Sequence, residues 1–217
     1  MILIAQYPVV GKPSRQAEFD LCLRANLENK YIDRVVLLQE PYTGTMTHPK
    51  IDLWDIPGRM TYLDAVRAAD EYIGEICIIA NADIRFDETL GILKHEDFPS
   101  RTAFCLSRQD MVEKQFEGQP AGRVSQDAWI FISPIHGVVN FDLDFQLGRP
   151  GCDNRFAHEL SKAYRLRNPS LTINCWHHHG GPRAGTFVEG AGPIDEPGNM
   201  ERDRIPGPYA YVPVEAL

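Results

Sequence analysis

A five-residue run without a polar side chain, Ile76–Ala80 (ICIIA), limits most strongly what this chain can fold into. A strand with one face in water alternates apolar and polar residues, whereas a strand of a parallel sheet is covered on both faces and is apolar throughout. The run therefore predicts a buried strand of an α/β sheet. It is followed at once by Asn81 and Asp83. Because ligands of such sheets bind beyond the carboxyl ends of the strands, these polar residues predict a site.

Strand and helix patterns alternate along the first half of the chain. The segments ILIAQYPVV, IDRVVLLQE and KIDLWDIPG are typical of strands. A helix with Ser14 as its N-cap is predicted after the first of them, and Thr61 with Asp64 predicts a capping box that opens a second helix. The resulting β-α-β-β-α-β order predicts an α/β fold with a mostly parallel central sheet and helices on both of its faces.

The second half continues with two predicted strands, TAFCLSR and DAWIFISP, and a helix for which Asp153 or Asn154 is the expected N-cap. A final strand is predicted to end in three histidines. From Gly180 onward, seven Gly and six Pro fall within 38 residues, which disfavours regular structure. We therefore expect one domain over residues 1–180 and a Gly/Pro-rich C-terminal tail or flap over residues 181–217.

Charge and cysteine usage exclude several classes of protein. The chain has 217 residues with 30 acidic against 22 basic side chains, so it has no global basic field that would bind nucleic acid. The apolar N-terminus lacks a basic lead and stops at Pro8, so we expect neither a signal peptide nor a transmembrane segment. Five scattered cysteines without a CxxC pair argue against a disulfide framework or structural zinc, and predict a cytoplasmic setting.

Two groups of residues at predicted strand ends suit metal binding. Asp83 is either a residue that turns the chain or a ligand for a hard cation such as Mg²⁺ or Mn²⁺. The consecutive His177, His178 and His179 form either a surface cluster or metal ligands. If the strand alternation continues through them, His177 and His179 share one face.

Other polar residues also have two interpretations. Asp153 is either a helix N-cap or a general base held at a rigid helix start. Arg59 and Arg108 either bind phosphate or form salt bridges, and Asp127 either ends a loop or contacts an acceptor. The chain contains no GxGxxG, Walker A, HExxH or GxSxG sequence, so dinucleotide-binding, P-loop, zincin and serine-hydrolase functions lack their residues.

Taken in order, these features resemble the GT-A glycosyltransferases of the nucleotide-diphospho-sugar transferase superfamily. The resemblance rests on the N-terminal strand–helix–strand unit, Asn81-Ala82-Asp83 after an apolar strand, GCDNRFAHEL at a helix start and CWHHHG at the end of a late strand. It spans most of residues 1–180 and implies a single GT-A-like, Rossmann-like catalytic domain. Asn81–Asp83 matches the metal-binding DxD triplet of the family, with an amide in place of the first acid.

The resemblance implies a metal-dependent glycosyltransferase that moves a sugar from a nucleotide-diphosphate donor to a hydroxyl acceptor on a glycan, lipid, protein or nucleotide. It assigns Mn²⁺ or Mg²⁺ as cofactor, Asp153 as the base of an inverting reaction, and one of His177 and His179 as a metal ligand beside Asp83. It assigns donor binding to Arg59, Asn81 and Asp83. A chain of this size has little room for an acceptor domain, so the tail or a second subunit of an oligomer is expected to complete that side.

Two alternatives stay open on the sequence alone. A catalytically inactive GT-A-like binding or scaffold domain is favoured by the amide at Asn81. A sugar-nucleotide nucleotidyltransferase needs a Gly-rich, basic phosphate loop after the first strand, where this chain has Gly11, Lys12 and Arg15.

Overall fold

The computed structural model describes residues 1–40, 47–110, 126–135, 141–178 and 204–217. These residues form an α/β fold with a seven-stranded sheet, a three-stranded sheet and three α-helices. The helices are α1 (Pro13–Glu28), α2 (Tyr62–Asp70) and α3 (Cys152–Ser161). The strands are β1 (Ile2–Gln6), β2 (Arg34–Gln39), β3 (Ile51–Asp55), β4 (Ile76–Ala80), β5 (Ile84–Phe86), β6 (Thr102–Leu106), β7 (Gln109–Asp110), β8 (Ala128–Ile132), β9 (Arg165–Arg167) and β10 (Cys175–His177).

The large sheet has the strand order β3-β2-β1-β4-β8-β6-β9. Six of its strands run in one direction, and β8 runs antiparallel to its neighbours β4 and β6. The predicted mostly parallel sheet is therefore confirmed. We call the edge at which the six parallel strands end the carboxyl edge. The chain leaves β1 toward β2 and β3 on one side and returns to β4 on the other, so β1 and β4 flank a topological switch point, where ligands of open α/β sheets bind.

Both faces of the large sheet are covered, as the apolar run of β4 predicts. Cys77 and Ile79 pack in a core with α2 and α3, while Ile76, Ile78 and Ala80 pack in a second core with α1. All five residues are buried. Alternate side chains of one strand thus enter opposite cores, which is why the run has no polar position.

The start of α2 follows the sequence prediction. The Thr61 hydroxyl accepts a hydrogen bond from the Asp64 amide at 3.1 Å, and the Asp64 carboxylate accepts one from the Thr61 amide at 2.9 Å. This reciprocal pair is the predicted capping box. None of the helices in the described ranges is long and apolar enough to cross a membrane.

The other two helix starts differ from prediction. Helix α1 begins at Pro13 with Lys12 as N-cap, so Ser14 lies inside the helix; proline suits the first helical position because its φ is preset and it needs no N–H partner there. Helix α3 has Gly151 as N-cap, so Asp153 and Asn154 lie in its first turn. Gly151 has φ of 81°, a left-handed conformation that favours glycine over Asp or Asn.

The predicted final strand is short and belongs to the second sheet, of order β5-β10-β7. Strand β10 pairs antiparallel with β5, and His177 lies opposite Ile84. This register brings the end of β10 beside the residues that follow β4. The small sheet therefore positions a histidine next to the Asn81–Asp83 triplet.

The described end of the chain, residues 204–217, packs on the body of the domain. Val212 is buried in the core shared with α2 and α3. The Ile205 amide donates to the Pro150 carbonyl at 2.9 Å, and the Glu215 amide donates to the Asn168 carbonyl at 2.7 Å. This part of the predicted tail therefore covers the loop that leads into α3.

Candidate functional site

A partly buried ion pair lies at the switch point between β1 and β4. Arg15, in the first turn of the helix that follows β1, donates from Nη2 to Oδ2 of Asp83 at 2.6 Å. Asp83 follows β4 and is 8% exposed. The segments that follow β1 and β4 thus each supply one charged partner of the ion pair.

His177 contacts the same carboxylate oxygen. Its Nε2 lies 3.0 Å from Asp83 Oδ2, and the ring is 3% exposed at the end of β10. The backbone amide of the next residue, His178, donates to the Asp83 carbonyl at 3.5 Å. The backbone that follows β10 therefore helps to fix the imidazole against Asp83.

The surroundings of Asp83 keep its carboxyl group ionised. Burial alone would raise its pKa, but the His177 ring and the Arg15 and Arg108 guanidinium groups outweigh burial and hold the pKa well below its usual range. Asp83 is therefore a buried carboxylate that stays charged at physiological pH.

Asp83 Oδ2 and His177 Nε2 are spaced like two neighbouring ligand atoms of a divalent metal ion. Two neighbouring ligands of an octahedral ion with bonds of about 2.1 Å are about 3.0 Å apart, and Asp83 Oδ2 and His177 Nε2 are separated by 3.0 Å. Carboxylate oxygen and imidazole nitrogen are both ligands of Mn²⁺. Among the described residues no group of three or more His, Cys, Asp or Glu side chains is placed to hold a metal, so the remaining ligands would come from substrate oxygens or water. Arg15 shares Oδ2 and would have to yield it.

Asn81 contacts Asp127, the residue that precedes β8. Its side-chain amide donates to Asp127 Oδ1 at 3.0 Å, and its backbone amide donates to the Asp127 carbonyl at 3.2 Å. Arg108 donates to the same Oδ1 at 2.8 Å. The amide at Asn81 therefore supplies a hydrogen-bond donor that a carboxylate at this position would lack.

Asp127 itself is a buried member of the site. It is 3% exposed, and its Oδ2 accepts no hydrogen bond from any residue in the described ranges. Because β8 is antiparallel to β4, its start lies at the carboxyl edge, beside the end of β4. A buried carboxylate oxygen without a hydrogen-bond donor is energetically costly.

Arg59 lies in a different part of the edge. Its Nη2 donates a long hydrogen bond, 3.4 Å, to the carbonyl of Gly148 in the loop before α3. Burial, followed by the neighbouring cation of Arg149, lowers the pKa of Arg59. Arg59 does not contact Asp83 or Asn81. Arg59 and the Asn81–Asp83 triplet, which were both expected to bind the donor, therefore do not contact each other directly.

Asp153 is half-buried in the first turn of α3. Its neighbours are Tyr62 and Cys152: burial, and after it the Asp153 carboxylate, raises the pKa of the Cys152 thiol to about 12. The Tyr62 hydroxyl donates to Cys152 Sγ at 3.7 Å, and its ring stacks on Phe156 with 4.2 Å between centroids. These contacts pack Tyr62 against the first two turns of α3, the helix that carries Asp153.

The structure thus brings Asp83 and His177 into contact. Asn81 contacts Asp127 instead. Arg59 lies against the loop before α3, and Asp153 lies in the first turn of α3. His179 lies outside the described residues. Sequence reasoning did not assign Arg15 to Asp83. An arginine in the first turn of a helix opposes the helix dipole, but Glu18, three residues further on, also pairs with it, so no local pattern indicates Asp83.

No protein-family model matches this chain, and no characterised protein sequence matches it.

Proposed function

We propose that the protein is a metal-dependent glycosyltransferase that uses a nucleotide-diphospho-sugar donor. The observation that carries the proposal is the ionised Asp83 with His177 Nε2 3.0 Å from its Oδ2, beyond the end of β4 at the switch point. The α/β sheet with its covered faces is compatible with the Rossmann-like GT-A fold that the sequence motifs resemble. The five free cysteines are compatible with a reducing, cytoplasmic setting.

Each residue has a defined task in the proposed reaction. Asp83 and His177 hold a divalent cation, which when bound stabilises negative charge on the leaving diphosphate. The Asp153 carboxylate accepts the proton of the acceptor hydroxyl. The acceptor oxygen forms a bond to the anomeric carbon, the bond from that carbon to the diphosphate breaks, and its electron pair leaves with the diphosphate. Direct displacement of this kind inverts the anomeric centre.

A second candidate is a nucleotide-binding domain without transferase activity. Asn81 favours it, because its amide donates to Asp127 and the triplet keeps a single acid, Asp83. The two candidates share the binding step and differ in turnover.

Calorimetric titration of the full chain with Mn²⁺ and UDP-, GDP- and dTDP-sugars tests both candidates. We expect one donor to bind in the presence of Mn²⁺, Asp83→Ala to abolish this binding, and Asp153→Asn to retain binding but lose donor turnover. Asp97→Asn, an exposed acid in a short 3₁₀ helix, is the matched control and should behave as wild type.

The outcomes separate the candidates. Absence of nucleotide binding with and without metal refutes both. Binding without donor hydrolysis or transfer over long incubation favours the inactive domain. Thermal melting of each variant is the control for folding, and Asp83→Asn, which keeps the side-chain shape, replaces Asp83→Ala if the latter unfolds.

A further inference from the structure

The loops that precede α2 and α3 hold two arginines together, and we call this pair, Arg59 and Arg149, the two-arginine site. The loops are joined by a hydrogen bond from the Leu147 amide to the Met60 carbonyl at 2.9 Å. The Arg59 guanidinium lies against Gly148, where an added Cβ would be 2.8 Å from Nη2. Arg149 follows directly, and its Nε donates to the Gln146 side chain at 3.0 Å. The fold therefore places two like charges side by side.

Arg59 has no salt-bridge partner among the described residues. Within the part of the chain that the structure describes, no carboxylate lies at ion-pair distance from Arg59, and its one hydrogen bond is the long contact with Gly148. Glu40 acts on it only through space, and the Glu40 carboxylate accepts a hydrogen bond from Gln6 Nε2 at 2.7 Å. For Arg59, a half-buried guanidinium without a carboxylate partner among the described residues is costly unless an anion binds to it.

The two-arginine site lies beside the proposed base. Arg149 is four residues before Asp153, and between them Gly151 is an N-cap without a side chain, so the first turn of α3 has no side-chain cap. Planar guanidinium groups match the oxygens of phosphate in bidentate geometry.

The metal-binding pair belongs to a separate group of charges. Asp83 contacts Arg15 and His177, whereas Arg59 contacts Gly148 and is influenced by Arg149. We propose that the two-arginine site binds a phosphate-type anion carried by the acceptor, and that the acceptor is therefore a phosphorylated compound. This inference rests on the proposed transferase function, in which the metal site takes the donor diphosphate and Asp153 takes the acceptor proton.

The test is calorimetric titration of the full chain with inorganic phosphate, alone and after saturation with Mn²⁺ and the nucleoside diphosphate that binds. We expect Arg59→Gln and Arg149→Gln each to weaken phosphate binding by about tenfold or more, because each removes charge-assisted hydrogen bonds. Arg24→Gln, an exposed arginine on α1, removes the same charge elsewhere and should have no effect. Phosphate and nucleotide should bind together.

Each other result overturns a defined part of the inference. Phosphate binding that is absent at millimolar concentration, or unchanged in both variants, overturns the site. Competition between phosphate and nucleotide assigns the arginines to the donor and overturns the acceptor role. Phosphate binding without any nucleotide binding keeps the site but refutes the transferase function. Arg59→Lys and Arg149→Lys, which keep the charge, replace a glutamine variant that fails to fold.

Discussion

Replacing Asn81 by aspartate adds a second acid to the Asn81–Asp83 triplet, and we expect it to destabilise the protein. In the structure, the Asn81 amide donates to Asp127 Oδ1 at 3.0 Å. The variant loses this hydrogen bond and places a second carboxylate against a carboxylate that is 3% exposed. Arg108, which donates to the same oxygen, offsets part of the repulsion.

The magnitude follows from two bounds. Two like charges about 4 Å apart repel by about 4 kcal/mol at an effective dielectric constant of about 20. The variant can instead avoid the repulsion by protonating one carboxylate. At pH 7, protonating an aspartate of ordinary pKa costs about 4 kcal/mol, so the loss of stability from repulsion cannot exceed this value. With compensation by Arg108 we expect a loss of about 3 kcal/mol in the free energy of unfolding. Asn81→Ala removes the hydrogen bond without adding charge and should cost about 1–2 kcal/mol.

Urea unfolding followed by tryptophan fluorescence measures these changes, since Trp129 is fully buried two residues after Asp127. In the folded Asn81→Asp variant, repulsion raises the pKa of the carboxyl pair, so the folded state gains protons before the unfolded state as pH falls. The excess cost over Asn81→Ala should therefore be greatest at pH 7 and shrink as pH approaches about 4. Equal stability of Asn81→Asp and wild type at pH 7, or a pH-independent difference from Asn81→Ala, would refute this reasoning.

Three further predictions concern ionisation and packing. The folded-state pKa of Asp83 is depressed, so Asp83→Asn should cost about 2 kcal/mol at pH 7, and the difference from wild type should begin to close as pH falls below about 3.9; chemical denaturation across pH tests this. All five cysteines are free and buried, so native protein should not react with a thiol reagent such as DTNB, whereas denatured protein should react with five equivalents. Tyr62→Phe should lower the free energy of unfolding by less than about 1 kcal/mol, because the hydroxyl contact to the Cys152 sulfur is long. Tyr62→Ala should lower it by about 3–5 kcal/mol, because the ring contacts are lost. Urea titration measures both values, and similar values would contradict the view that the ring contacts, more than the hydroxyl, stabilise the fold.

Sequence patterns predicted the elements that are determined by residues close together in the chain. The apolar run Ile76–Ala80 predicted a strand covered on both faces, and its residues do enter two cores. The Thr61–Asp64 spacing predicted a capping box because both partners belong to one helix turn. Asp83 was predicted at the end of a strand for the same reason: the strand itself determines where the residue lies.

Contacts between distant segments were harder to predict. His177 is 94 residues from Asp83 in sequence, and their contact depends on the register between β10 and β5. The pairing of Asn81 with Asp127 depends on β8 being antiparallel, which apolar pattern alone does not reveal because β8 is buried on both faces. The start of α3 was misplaced because a glycine N-cap has no side chain for a capping motif to detect.

Residues 204–217 are held on the domain by non-covalent contacts of their own. Val212 is inserted in the core, Arg155 donates to the Gly207 carbonyl at 2.8 Å, and Arg167 Nε donates to Glu215 at 2.6 Å. These contacts are side-chain and backbone interactions that need no covalent connection to the preceding residues. A chain shortened to residue 203 and a synthetic peptide of residues 204–217 should therefore reassociate, and a dye on the peptide would report occupancy of the surface beside α3.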